Sequence, residues 1–185
     1  MEAGRTTIRL AALFLAVAWA GTFGVSEAFA QDADVTAAVK ARYEKLFSEY
    51  SRFMMNPTKT SPSAITFSIK NNMVSKELKA LLLKDEACAR KGGGICNLDF
   101  DFLLNGQDSC KPLKIVDAYQ NKNTYVLKVS NRIEECDKGG YYKPYDFTLI
   151  EESGAWVIDD AAYSMKDDSG KIINFTLKDT LNGKN

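Results

Sequence analysis

An alternation of apolar and polar residues over positions 113–160 constrains the fold of this chain more than any other feature. Tyr125 and Leu127 fall on one face of an extended segment, and polar residues fall on the other. This period of two predicts a half-buried β-strand. Short turns at residues 121–123 and 152–154 predict antiparallel neighbours. A sheet with one apolar face needs other elements to bury that face.

The sequence predicts an α+β fold in which N-terminal helices pack on a curved antiparallel sheet of about four strands. The last predicted strand continues through Met165. Residues 171–181 fit a short helix, but a strand from Ile172 to Leu177 fits nearly as well. One face of the sheet is expected to carry Leu113, Ile115, Asp117, Tyr119, Tyr125, Leu127, Val129, Asn131, Ile133, Tyr145, Phe147 and Leu149.

The first 30 residues are typical of a secretory signal peptide. Arg5 and Arg9 precede an apolar run that is too short to span a bilayer, and an Ala-Phe-Ala triplet occupies positions 28–30. We therefore expect cleavage after Ala30 and a periplasmic or secreted protein, with an uncleaved anchor as the alternative. No later apolar run is long enough to cross a membrane, so we expect no membrane span in the mature chain.

Length and charge limit the partners of the mature chain. Residues 31–185 suffice for a single α+β domain, whose core we place at about 35–181. The chain has 24 basic and 24 acidic residues, which gives no electrostatic reason to expect nucleic acid or an anionic membrane surface. No cofactor is expected. The three glycines at 92–94 lack the Lys-Ser/Thr of a phosphate-binding loop, so they are interpreted as a helix stop.

An amphipathic helix is predicted over residues 34–54, with Asp34 or Thr36 as its N-cap and Asn56-Pro57 as its stop. Apolar residues recur every three or four positions and form one broad stripe that could cover the sheet. The stripe consists of Val39, Tyr43, Leu46, Phe47, Tyr50, Phe53 and Met54.

Two further segments precede the sheet. Residues 65–69 are predicted to be a short strand or an extended segment. A second helix is predicted to begin after a Ser75 cap and to end at the glycines of positions 92–94.

Four cysteines in an exported domain predict two disulfides, for which three pairings are possible. Cys110 precedes the first predicted strand and Cys136 follows the second, at nearly matching distances from the turn. They should therefore face each other at the open end of that hairpin, which leaves Cys88 and Cys96 to close the glycine-containing loop. A metal site or a catalytic thiol is the alternative, but the paired spacing of a zinc site is absent, so no metal is expected.

An acidic stretch at residues 99–108 lies between the second and third cysteines. Its spacing does not fit a calcium loop, because Leu103 and Leu104 occupy positions that need an oxygen ligand and a glycine. The stretch contains an Asp-x-Asp pattern ending at Asp101 and a Gln-Asp pair ending at Asp108. A Gly-x-Trp-x-Ile-Asp pattern follows at residues 154–159.

These motifs resemble a family of exported bacterial domains of unknown function, which belongs to the cone-shaped α+β superfamily of nuclear transport factor 2 and the ketosteroid isomerases. The resemblance covers about residues 35–181. The family often has Pro-Phe after its second Asp, where this chain has Phe102-Leu103. The resemblance implies helices that cover a strongly bent sheet and leave a pocket. It implies no established activity and transfers no catalytic residue.

Catalysis is restricted because the chain contains no histidine. This excludes Ser-His-Asp and Cys-His nucleophile systems and His-ligated metals. An enzyme, such as an isomerase or hydrolase, would need an Asp base and a Tyr donor in an apolar pocket. Asp159 and Asp160 are neighbours on a strand, so we expect their side chains on opposite faces. We predict no catalytic residue, since the acidic groups can instead satisfy backbone N–H groups. The candidates for the enzyme hypothesis are Asp99, Asp101, Asp108, Tyr43, Tyr119 and Tyr125.

A non-catalytic domain that binds an unknown small ligand or protein in the periplasm is the function we expect. The implied pocket would be lined by aromatic residues of the first helix and the sheet. Core packing is the alternative for these residues, including Trp156. The candidates for the pocket are Tyr43, Phe47, Tyr125, Trp156 and Asp101.

A protein partner is the second possibility, for example for an immunity or inhibitor protein that blocks a secreted toxin. Tyrosines on the glycine-bounded loop at residues 138–145 suit a protein interface. The alternative is a long hairpin connection with its tyrosines folded back. The candidates on this loop are Tyr141, Tyr142 and Tyr145.

Overall fold

The computed structural model describes residues 24–137, 141–167 and 169–184, with the backbone alone described over 24–33. The fold is α+β, and in chain order helices come both before the first strand and after the last one. The helices are α1 (Gly24–Met55), α2 (Ala64–Lys70), α3 (Lys76–Gly92) and α4 (Leu177–Leu181), and the strands are β1 (Lys114–Asn121), β2 (Thr124–Ser130), β3 (Tyr145–Glu152), β4 (Ala155–Lys166) and β5 (Ile172–Thr176).

The antiparallel sheet has five strands in the order β1-β2-β3-β4-β5, not the predicted four. The additional strand is β5, which pairs with the last residues of β4. Helix α4 follows at once, because the hydroxyl of Thr176 accepts a hydrogen bond from the backbone N–H of Asp179 and caps the helix. The strand and helix alternatives for residues 171–181 therefore each describe one part of the segment.

A β-bulge in β1 changes the face on which its later side chains lie. Val116 is the extra residue in the pairing with β2, and beyond a bulge the alternation is displaced by one position. Ala118 consequently lies opposite the buried Leu127. Tyr119 is 41% exposed. The prediction that Asp117 and Tyr119 share the inner face with Ile115 is therefore wrong. The strand predicted to continue through Ile133 ends at Ser130.

Helix α1 covers the sheet with the predicted aromatic stripe. Tyr43 and Phe47 are fully buried, and the ring of Phe47 lies 5.8 Å from the ring of Phe147 on β3. The hydroxyl of Ser51 donates to the carbonyl of Phe47 and accepts from the backbone N–H of Leu113, just before β1. The helix is thus oriented by burial of one face and attached to the sheet by hydrogen bonds.

Helix α1 (Gly24–Met55) continues through Asp34 and Thr36, so neither residue caps the start of a helix as predicted. Its end at Met55 agrees with the predicted stop at Asn56-Pro57. The predicted cleavage site falls inside this helix, and the earlier part of the predicted signal peptide lies outside the described residues. Among the described helices, none combines the length and apolar character needed to cross a bilayer.

Residues 65–69 belong to helix α2 and are not extended as predicted. The hydroxyl of Ser63 accepts a 3.2 Å hydrogen bond from the backbone N–H of Thr66, which caps the helix. Helix α3 confirms the second predicted helix. Ser75 caps its start, and Gly93 ends it with a positive φ of 72°.

The segment before α3 covers part of an edge of β4. The backbone N–H of Ser75 donates to the carbonyl of Ile158, and the N–H of Ile158 donates to the carbonyl of Met73. These two hydrogen bonds form a parallel bridge on one edge of β4. The later residues of β4 pair with β5 along the same edge. The outer edge on this side of the sheet is therefore β5.

Both disulfides pair as predicted. Cys88 bonds to Cys96 with a Cα–Cα distance of 5.8 Å, and Cys110 bonds to Cys136 with a distance of 6.4 Å. The first closes the loop after α3, and the second joins the chain before β1 to the chain after β2. Two disulfides favour an oxidising compartment.

Candidate functional site

A buried loop lies at the centre of the predicted acidic stretch. Phe102, Leu103 and Leu104 are fully buried, so their backbone carbonyls need partners from the protein. Each carbonyl has one. Tyr163 donates to Phe102, Tyr145 donates to Leu103, and Asn131 donates to Leu104, over 2.8, 2.5 and 2.8 Å. Three sheet side chains therefore hold three consecutive carbonyls of an irregular loop.

Asp101 satisfies the other polar groups of this loop. Its carboxylate accepts hydrogen bonds from the backbone N–H groups of Leu103 and Leu104 and from the hydroxyl of Tyr50. Burial raises the pKa of Asp101 to about 6, although the hydrogen bonds from Tyr50 and the two N–H groups lower it. Burial and the negative charge of Asp101 also raise the pKa of Tyr50. Asp101 and Tyr50 thus form a hydrogen-bonded pair in an apolar environment, and this pair holds the buried loop in place.

The other residues of the predicted pocket lie in the core or, for Trp156, pack against it. Tyr43, Phe47 and Tyr125 are at most 1% exposed, and the ring of Trp156 lies edge-on to Tyr125 at 4.6 Å. The hydroxyl of Tyr43 donates to the carbonyls of Met73 and Trp156. None of these residues, nor Asp101, lines the cleft beside β5 or the open cavity between α1 and β1. The aromatic stripe of α1 thus fills the interior, as the core alternative predicts.

A cleft of about 810 Å³ opens at the end of the sheet where β4 ends and β5 begins. Its volume lies in the range of ligand sites in proteins. The walls come from segments far apart in the chain, so only the folded structure assembles them. The lining residues are Ile95, Cys96, Asn97, Asp99, Phe100, Asn105, Gly106, Gln107, Asn131, Tyr141, Tyr142, Lys143, Ser164, Met165, Ile173, Asn174, Phe175, Asp179, Thr180 and Lys184.

Apolar side chains are unusually exposed around this cleft. Ile95, Met165 and Ile173 are 71%, 46% and 37% exposed, and all three line it. Phe100 lies edge-on to Phe175 and packs against the buried core. Exposed apolar side chains that converge in a concave surface are typical of a binding site. No sequence pattern singled out these residues, although a large apolar residue directly after three glycines is unusual for a solvent-exposed loop.

The tyrosines predicted to form a partner loop lie in two environments. Tyr141 and Tyr142 line the cleft, and the ammonium groups of Lys143 and Lys166 lie 5.3 and 5.4 Å from the ring of Tyr141. Tyr145 is 2% exposed at the start of β3, so its prediction as a loop residue is wrong. Its side chain is needed to satisfy the buried loop. The remaining loop residues, 138–140, lie outside the described residues.

The other acidic candidates are separated. Asp99 lines the cleft, while Asp108 is exposed and does not line it. Asp159 is the extra residue of a bulge in β4, and its carboxylate contacts the ammonium group of Lys178 at 2.8 Å. The carboxylate of Asp160 accepts from the backbone N–H of Lys178 at 3.0 Å. Both carboxylates therefore contact one residue of α4, which the expectation of opposite faces did not anticipate.

A second, more open cavity of about 570 Å³ lies between α1 and β1. Its lining contains one exposed large apolar side chain, Val116, whereas three such side chains line the cleft. Among the described residues, no group of three metal-ligating side chains is found. The cleft between the β4 and β5 ends is accordingly the better candidate for a site.

Comparison with known proteins supports the fold alone. No protein-family profile matches the sequence, and no curated protein matches it significantly. A crystal structure of a protein of unknown function from Bacteroides thetaiotaomicron VPI-5482 superposes with a TM-score of 0.51 and 15% sequence identity. The superposition covers 74% of this chain and 98% of that one. At this identity, the likeness indicates a shared arrangement of elements and carries no function.

Proposed function

We propose that this protein is an exported, non-catalytic binding domain whose ligand or partner occupies the cleft at the β4 and β5 ends. The observation that carries the proposal is the convergence of three exposed apolar side chains, Ile95, Met165 and Ile173, in one cavity of about 810 Å³. Leaving such side chains in water is unfavourable, so their concentration in a concave surface favours a molecule that covers them.

The proposed compartment rests on two features of different origin. The first 30 residues are typical of a signal peptide, and the two disulfides are characteristic of proteins outside the reducing cytosol. The periplasm or the exterior is the location that fits both. The proposed relation to the cone-shaped superfamily of nuclear transport factor 2 is supported by the sequence motifs and by helices packed on an antiparallel sheet.

The candidate catalytic groups form hydrogen bonds within the protein, which supports a binding role rather than catalysis. The oxygens of Asp101 are occupied by two backbone N–H groups and by Tyr50. The hydroxyls of Tyr43 and Tyr145 donate to backbone carbonyls. A general base needs a free oxygen within reach of a substrate proton, and Asp101 has its hydrogen bonds directed at the protein.

A protein partner is favoured over a small ligand by Tyr141 and Tyr142, which line the same cleft as the apolar side chains. Tyrosine combines a large apolar ring with a hydrogen-bonding group and is enriched in protein interfaces. An immunity or inhibitor function against a secreted toxin would use such a surface.

The proposal is tested by capture experiments on the exported fraction of the producing cells. Three baits are compared: wild type, Ile173→Asp and Leu83→Asp. Leu83 is 40% exposed but lines neither cavity, so its variant controls for a charge placed on an exposed apolar site. We expect wild type and Leu83→Asp to retain the same protein or small molecule and Ile173→Asp to lose it. Equal retention by all three baits would contradict a site in the cleft.

A further inference from the structure

We propose that the cleft receives an extended, uncharged segment of another protein, which adds to the sheet as a sixth strand beside β5. Apolar side chains at alternate positions of the segment would lie against the apolar wall of the cleft. This inference rests on the proposed function, because it requires the cleft to be the binding site, and it adds the chemistry of the guest.

The first support is the free edge of β5. The sheet order places β4 on one side of β5, and no backbone partner of its other edge is found among the described residues. Unpaired N–H and C=O groups at an edge form a template for another strand. The other outer strand, β1, is interrupted by the bulge at Val116. The pairing of β5 with β4 is regular, and residues 172–176 include neither a charge nor a proline.

The second support is the course of the cleft relative to the strand. Ile173, Asn174 and Phe175 are consecutive, and all three line it. Successive side chains of a strand point to opposite faces, so a cavity that contacts three in a row follows the edge of the strand. The five residues of β5 present an edge of roughly 17 Å at about 3.4 Å per residue. An added strand of similar length would fit alongside.

The third support is the pattern of side chains that the guest would meet. Met165 and Ile173 are paired across β4 and β5, so both point to one face of the sheet, and Ile95 borders the same cleft. Asn174 points to the other face, where its side-chain oxygen accepts from Ser164 and its amide nitrogen has no hydrogen bond among the described residues. Successive side chains of the added strand would therefore meet an apolar environment on one face of the sheet and a polar environment on the other.

Charge argues for an uncharged guest. The charged residues that line the cleft are two acids and two bases, and Asp179 pairs with Lys184 at 3.7 Å. The whole chain also has equal numbers of acidic and basic residues. No net field thus selects a charged ligand, and affinity would come from backbone hydrogen bonds and apolar burial.

The segments beside β5 favour a single strand over a second copy of this chain. Segments around Phe100 and around Tyr142 line the cleft together with β5. A slender extended segment can lie between such segments. In a second copy, the same segments would flank its β5 and hinder the approach of one sheet edge to the other.

The test uses a displayed library of random ten-residue peptides selected on the full mature protein, with Ile173→Asp for counter-selection. Enriched peptides are then synthesised with one backbone nitrogen methylated at a time. Methylation removes a donor, so we expect binding to fall about tenfold at alternate positions and to change little between them. Amide hydrogen exchange should slow at alternate residues of β5 when the peptide binds, and should not slow in β1.

Three outcomes would overturn strand addition. One is a lack of enrichment over Ile173→Asp, and another is binding that is insensitive to methylation and leaves exchange in β5 unchanged. The third is protection of β5 without peptide, together with a dimer in solution, which would indicate a second copy as occupant. If the capture experiment still distinguishes Ile173→Asp from Leu83→Asp, strand addition alone fails. If that distinction is lost as well, the cleft is not the site.

Discussion

The protonation of Asp101 contributes to the stability of this fold. Its pKa is raised to about 6 in the folded protein, from an ordinary value of 3.8. The folded state therefore holds the proton more tightly than the unfolded state. The resulting stabilisation is complete below about pH 4 and is lost as the pH rises through 6, on the order of 2–3 kcal/mol.

Asp101→Asn should remove this pH dependence, because asparagine stays neutral while keeping an oxygen for the N–H groups of Leu103 and Leu104. We expect the free energy of unfolding of the variant, relative to wild type, to increase between pH 4 and pH 7. Urea unfolding across that range measures it. The matched control is Asp108→Asn at an exposed position, which should follow the wild-type profile. Parallel profiles for wild type and Asp101→Asn would show that Asp101 does not titrate as described.

Tyr163 provides a second prediction at this scale. Tyr163→Phe keeps the packing of the ring but leaves the buried carbonyl of Phe102 without its partner. We expect a loss of about 1–3 kcal/mol in the free energy of unfolding. Tyr119→Phe, at an exposed position, should change it by less than about 0.5 kcal/mol. Equal effects of the two changes would mean that the hydrogen bond to the loop contributes little.

At the residue scale, the sequence allowed the type of interaction to be predicted but not the partners. An Asp and a Tyr do meet in an apolar setting, yet the tyrosine is Tyr50 and not Tyr43, Tyr119 or Tyr125. The exposed position of Tyr119 results from one extra residue in β1. Beyond the bulge, neither Ala118 nor Tyr119 is restricted to one face by its residue type, so alternation alone could not reveal the displaced register.

Among the elements, the two disulfides are expected to differ in their contributions. They join residues separated by 26 and by 8 positions. A loop-entropy model gives roughly 3.5 kcal/mol for the longer loop and roughly 2.5 kcal/mol for the shorter one. The Cys110→Ser/Cys136→Ser variant should therefore lose more stability in urea than Cys88→Ser/Cys96→Ser. The reverse order would indicate that the hairpin remains closed without its bridge.

Elements with strong local signals were predicted correctly, and those decided by tertiary pairing were not. The caps and glycines of α3 and the hairpin around residues 121–123 are local features, and both formed as predicted. Residues 172–176 suit either a helix or a strand, and pairing with the end of β4 determines the outcome. Residues 65–69 are an exception among the local signals: the Ser63 cap starts a helix, although the β-branched and aromatic residues that follow it are typical of an extended segment.

At the scale of the whole molecule, the sequence placed the pocket under α1, where the structure has a filled core. The cleft is assembled from segments near residues 95–107, 131, 141–143, 164–165 and 173–184. Their proximity depends on where β5 pairs and where the buried loop enters the core. Neither is encoded in a short motif, so the cleft was not predictable from local patterns.

The most direct test of a binding site in this cleft is an amide chemical-shift map. The ¹⁵N-labelled protein is titrated with a mixture of small aliphatic and aromatic fragments. We predict shifts concentrated at Ile95, Met165 and Ile173, and their loss in Ile173→Asp but not in Leu83→Asp. Shifts concentrated instead at Tyr43, Phe47 and Tyr125 would contradict the account, because they would place the accommodating space beneath α1.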